Sequence, residues 1–135
     1  MYVTHNLSHA NAQKMIASIQ KELEAANKAA CVAVCDAHGE LVAFLRMDGC
    51  RLPPLTISMN KAFTAAREGR PSGEVGESLR KAGYPMTNLG DPRYTGFPGG
   101  IPLISNGKVV GAIGVSGLAD EEDIRLAETA AKLLE

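Results

Sequence analysis

The sequence predicts a single α/β domain of the α+β kind over residues 1–135, an antiparallel sheet with helices on both faces. Three observations carry that expectation. Two pairs of apolar segments, Cys31–Cys35 with Leu41–Leu45 and Ile101–Ser105 with Val109–Ser116, are each joined by a short turn. The first pair lacks the polar–apolar alternation of a sheet with one wet side, so both of its faces need cover. Amphipathic helical stripes precede, separate and follow the two hairpins, and they can supply it.

The first helix starts at a Ser8 cap, with Leu7 and Ala12 placed as a hydrophobic staple. Ala12, Ile16, Ile19, Leu23 and Ala26 then form one buried stripe, which predicts a helix over about residues 9 to 27. Asp36-Ala37-His38-Gly39 carries the turn chemistry of the first hairpin. Pro53 and Pro54 suit a helix entry, and Leu55, Met59, Ala62, Phe63 and Ala66 give a second stripe ending near Gly69 and Pro71. Ser72 is placed to cap a third, shorter helix that stops at Gly83.

From Tyr84 to Gly100 prolines, glycines and aromatics follow one another without a period, which predicts a long ordered loop and places a ligand site beside it. Asn106-Gly107 supplies the positive φ values of a tight hairpin turn. Gly111, Gly114 and Gly117 interrupt the returning strand. Such glycines mean either close helix packing or a bulge, or the approach of a ligand, and both readings stand. Asp120 to Asp123 put negative charge at the start of a last helix, whose buried stripe is Ile124, Ala127, Ala131 and Leu134.

Composition excludes several classes. Hydrophobic residues make up 45% and charged residues 21%, as in an ordinary globular protein. A net charge of -1 without a basic cluster gives no footprint for nucleic acid or an anionic membrane. The polar N-terminal stretch does not read as a secretory signal, so the cytoplasm is the expected compartment. Three cysteines then predict reduced thiols. On one strand Cys31 and Cys35 would lie about 13 Å apart, too far to bridge.

Four segments, Arg46-Met47-Asp48-Gly49, Asn60 to Ala66, Gly99 to Leu103 and Gly111 to Gly117, resemble the GlcG/HbpS-like family, which includes the C-terminal domain of the PduO corrinoid adenosyltransferases. The resemblance runs from about Leu7 to Leu134. It implies a profilin-like fold, homo-oligomers often described as octamers, and for some members binding of haem or a corrinoid. It also implies an accessory role near glycolate, glycerol or propanediol metabolism. The adenosyltransferase domain is missing from the sequence, so that catalysis is not assigned.

Haem needs an apolar slot and an axial ligand; His9 and His38, with His5, are the imidazole candidates, ahead of Met47, Met86, Tyr94 and Cys50. Lys61, Arg67 and Arg93 could hold ligand carboxylates, or could belong to an ion-pair network with Asp48 and Asp91. Tyr94 and Phe97 are aromatic anchors of the long loop, and Gly99-Gly100 could offer backbone N–H groups to an anion. Nucleophile elbow, phosphate loop, zinc pair and dinucleotide fingerprint are all missing. The leading expectation is therefore a binding or accessory protein. The alternatives are a small-molecule enzyme or isomerase using Lys61, Asp48 or Arg93 on a hydroxy acid or aldehyde, and a structural or regulatory subunit.

Overall fold

The computed structural model describes residues 1–134. In chain order the elements are α1 (His9–Ala25), β1 (Cys31–Asp36), β2 (Leu41–Arg46), α2 (Pro53–Glu68), α3 (Ser72–Ala82), β3 (Gly100–Ser105), β4 (Lys108–Ser116) and α4 (Asp120–Ala131). The four strands form one antiparallel sheet in the order β2-β1-β4-β3. Among the described residues no helix is long and apolar enough to cross a membrane.

Strand alternation sorts the central strands into two unlike faces. Val32 and Val34 of β1 and Ile113 and Val115 of β4 point to the side covered by α1 and α4, where they meet Met15, Ile19, Leu23 and Leu126. Ala33, Cys35 and Ala112 point to the other side and meet Ala62, Ala65 and Ala66 of α2. Small residues on both partners draw α2 down onto the sheet. A Cβ on Gly114 would lie 2.2 Å from the Ser58 carbonyl oxygen, and one on Gly100 would lie 2.2 Å from that of Lys61. Close helix packing, not ligand approach, therefore accounts for Gly114. Gly111 makes room for Leu7, whose side chain would stand 2.3 Å from an added Cβ.

Local chemistry sets the ends of the elements. Ser8 and Asn11 form a capping box at the start of α1. The helix stops two residues before the expected position 27 because Asn27 takes a left-handed φ of 55°. The Lys28 and Asn27 N–H groups then close on the Leu23 and Glu24 carbonyls, the two bonds of a Schellman end. Asn106 and Gly107, at φ 51° and 75°, make the expected tight turn.

Four expectations need correction. On α4 the buried face is Asp123, Leu126, Ala127 and Ala130, while Ile124, Ala131 and Leu134 are only half-buried, because the helix turns Leu126 and Ala130 toward the sheet. Pro71, not Ser72, stands at the cap of α3; Ser72 is its first helical residue, and its buried hydroxyl is engaged elsewhere. The long loop contains a single 3-10 turn at Met86–Leu89, because Pro85 and Thr87 carbonyls find N–H partners three residues on. The first hairpin is not covered evenly: β1 is buried, but β2 lies at the sheet edge with Leu41 51% exposed and Val42 to Leu45 only half-buried. At the opposite edge, β3 carries Pro102 and a register shift after Leu103.

Candidate functional site

The N-terminal segment forms a strap across the turns of both hairpins. The Leu7 N–H donates to the Val110 carbonyl at 3.0 Å, and the Asn6 side-chain oxygen accepts the Ala37 N–H at 2.8 Å. Leu7 is buried in the room left by Gly111, so the strap is pinned at its C-terminal end. Beneath it lies an open hollow of about 500 Å³ lined by Tyr2, His5, His38, Lys108, Val109, Val110 and Leu134 among others. Among its described lining residues Lys108 is the charged one. Two of the three histidines thus share one partly apolar recess; His9, exposed at the start of α1, is not among its lining residues.

The long loop builds a different environment. Ser72 Oγ donates to the Phe97 carbonyl at 2.7 Å and accepts the Gly100 N–H at 2.9 Å, while Thr64 Oγ1 accepts the Thr95 N–H at 2.9 Å. These bonds fasten the loop to α2 and α3. Gly76 and Gly96 let the loop backbone cross α3 directly, since a Cβ on Gly76 would sit 2.5 Å from the Gly96 Cα. Phe97, Pro98 and Gly99 form part of the wall of a hollow of about 580 Å³ whose charged lining is Glu74, Glu77, Asp120 and Glu128 against Arg80. Phe97 also borders a smaller recess of about 340 Å³ with Leu79, Tyr84 and Met86. The prevailing charge on this side of the molecule repels an anionic ligand.

The remaining candidates fall in two further places. Arg67 and Arg93 set their guanidinium groups 4.6 and 4.0 Å from the ring centre of buried Phe63, and Tyr94 meets the same ring edge-on at 5.0 Å. Arg93 also pairs with Asp91 and Glu40, each at 3.0 Å, and Arg67 Nε donates to the His38 carbonyl at 2.7 Å. Those contacts are an ion-pair and stacking network that holds the first turn and the loop to α2.

Lys61 lies inside the molecule. Its ammonium donates to the Val115 carbonyl at 2.8 Å and to Asp123 at 3.2 Å, and both side chains are only 3% exposed. Burial holds Lys61 below the usual lysine value, with Asp123 opposing that shift; burial likewise pushes Asp123 up, with Lys61 opposing. Asp123 also accepts the Leu118 N–H, so the pair ties α2 to the end of β4 and the start of α4. Gly99, at φ 120°, closes over the ammonium: a Cβ there would lie 2.9 Å from Lys61 Nζ. The Gly100 N–H is already taken by Ser72.

The expected site residues are therefore distributed, not gathered. The structure unites Arg67, Arg93 and Tyr94, sets Phe97 and Gly99 around an acidic hollow, seals Lys61 and Gly100 beneath it, and joins His38 to His5 under the strap. Among the described residues no three His, Cys, Asp or Glu side chains converge as a metal site. Tyr2, Asn6 and Lys108 join this recess without a motif of their own; the one signal for them in the sequence is Gly111, which opens space in β4 for a segment of the chain to cross.

With this geometry in view, the family model described as "Haem degrading protein HbpS-like" matches residues 7–132. The chain belongs to the HbpS-like family. It is 36% identical over 125 residues to an uncharacterized 15.0 kDa protein of the dhaT-dhaS intergenic region of Citrobacter freundii, covering 90% of this chain and 87% of that protein. Protein GlcG of Escherichia coli K12 is 35% identical over 110 residues, covering 82% of this chain and 81% of GlcG. A double mutant of Streptomyces reticuli HbpS superimposes with a TM-score of 0.89 at 27% identity, covering 100% of this chain and 91% of the other. These matches establish for this HbpS-like chain the four-stranded antiparallel sheet packed by helices on its two faces.

Proposed function

We propose that this HbpS-like chain is a binding or accessory protein for a metal tetrapyrrole, haem first and a corrinoid second. The site we assign is the hollow under the N-terminal strap. One observation carries the reading: His5 and His38 line the same partly apolar recess, in which Lys108 is the charged residue among the described lining residues. Neutral imidazole is the commonest protein ligand of haem iron, and a recess of about 300–1,000 Å³ is the usual size of a small-molecule site. His38 and His5 would hold the metal, and Lys108 would attract the carboxylates of haem. When bound, haem would bring one-electron and dioxygen chemistry. The family description as haem degrading supports that ligand.

The burial of Lys61 against Asp123 supports a bracing part for this lysine over acid–base work on a substrate. Half-covered β2 supports association between copies, as a homo-oligomer.

Haemin and cobalamin titrations against the pure protein test the proposal. The expected result is a Soret shift at micromolar haemin that weakens at least tenfold in His38→Ala. His38 is the first choice because it lies inside the matched span 7–132, and His5 outside it. No Soret shift and no heat with either macrocycle, or unchanged binding in a His5→Ala, His38→Ala double variant, overturns it. Bleaching of the bound haem on adding a reductant in air would separate degradation from simple carriage.

A further inference from the structure

The first hairpin brings two distant cysteines together. Cys31, the first residue of β1, lies with its Sγ 3.6 Å from the Sγ of Cys50 in the β2–α2 connection. Cys31 is completely buried and held in the sheet between Arg46 and Ser116. Cys50 is half-exposed and opens onto a recess of about 350 Å³ whose charged lining is Lys28, Arg51 and Asp48. One thiol is thus fixed inside and its partner is reachable from outside.

We propose that Cys31 and Cys50 form a reversible intramolecular disulfide that fastens the β2–α2 connection to the sheet, made by exchange with a low-molecular-weight disulfide entering the recess beside Cys50. A disulfide bond is about 2.05 Å long, so the two sulfurs must close by roughly 1.5 Å. The connection can supply that movement. It carries Gly49 at φ 85° with open space where a Cβ would stand, and Leu52 at the N-cap of α2 makes no side-chain cap bond. Two cations against one carboxylate also suit a small disulfide that bears carboxylates.

The exchange proceeds in two displacements. The Cys50 thiolate attacks one sulfur of the small disulfide; the new S–S bond is a mixed disulfide, and the other half leaves as a thiolate that takes up a proton. Cys31 then attacks the Cys50 sulfur, its proton passing to the second departing thiolate. The balance is two protein thiols and one small disulfide giving one protein disulfide and two small thiols. Burial, with the hydrogen bond to Cys50, pushes the Cys31 thiol up to about 12, which leaves the first attack to the more exposed Cys50. Cys35, buried on the same strand and likewise pushed up to about 12 by burial, is left as the unpaired thiol.

Oxidised glutathione is the probe, applied to the reduced full-length protein. The expected result is a fall from three titratable thiols to one under denaturing conditions, with an intact mass lower by two hydrogens and a peptide map joining Cys31 to Cys50. Cys50→Ser should keep both remaining thiols and gain no adduct. Cys31→Ser should accumulate the mixed disulfide on Cys50; if that variant fails to fold, the native map and Cys50→Ser decide alone. A lasting glutathione adduct on native Cys50, a bridge between chains, a Cys31–Cys35 link, or three surviving thiols would each overturn the proposal.

Discussion

Asp123→Ala should be among the most damaging single substitutions on α4, although it removes a residue of a surface helix. It strands the Lys61 ammonium inside the protein with one carbonyl partner, Val115, since the nearest opposing charge, at 3.2 Å, is gone. Breaking a buried pair on one side costs about 3–5 kcal/mol, against a total domain stability of roughly 5–15 kcal/mol. With a urea m-value of roughly 2 kcal/mol/M, the midpoint should fall by about 2 M. In the variant Lys61 sheds its proton in the folded state at a pH where the unfolded chain still holds it. The unfolded state then binds more protons, so the variant's stability should rise with pH between the lowered Lys61 value and the ordinary 10.5. Replacing both partners by apolar residues, Lys61→Met with Asp123→Leu, should recover most of the loss. Urea unfolding of the unaltered protein and the two variants across pH is the assay. A cost below about 1 kcal/mol for Asp123→Ala, or a stability falling over that pH window, refutes the assignment of this pair as an interior brace.

Two further substitutions probe the framework. Gly114→Ala drives a Cβ to within 2.2 Å of the Ser58 carbonyl oxygen, so α2 must lift; thermal unfolding should show a loss of about 3 kcal/mol or more, against about 1 kcal/mol for Gly49→Ala, which meets only its own positive φ. Ser72→Ala leaves the Phe97 carbonyl and the Gly100 N–H without their shared partner, at about 1–3 kcal/mol, and Gly100 amide exchange should accelerate relative to the Val115 amide.

What could be read from the sequence was whatever a few neighbouring residues decide. Asn106-Gly107 declares its turn because positive φ is a property of those two residues, and the α1 stripe declares its buried face because helical spacing is local. Long-range partners were hidden. Lys61 reads as a charged residue beside a glycine-rich motif until Asp123, 62 positions away, is seen to face it. Cys31 and Cys50 are 19 positions apart, and only the return of β2 beside β1 brings them together. The strap was invisible for another reason: residues 2–6 carry no period, and their placement depends on one buried leucine and two hydrogen bonds, one to β4 and one to the first turn. The glycines of β4 showed that something comes close without saying whether it was helix, strap or ligand.

Pro102 has a bearing on how copies of this protein could ever meet. A β-ribbon that grows without limit needs two receptive borders, and proline removes an N–H donor from one of them. Only the β2 border retains a full row of donors and acceptors, so any sheet-to-sheet pairing would join two molecules back to back and then stop, leaving no template for a third.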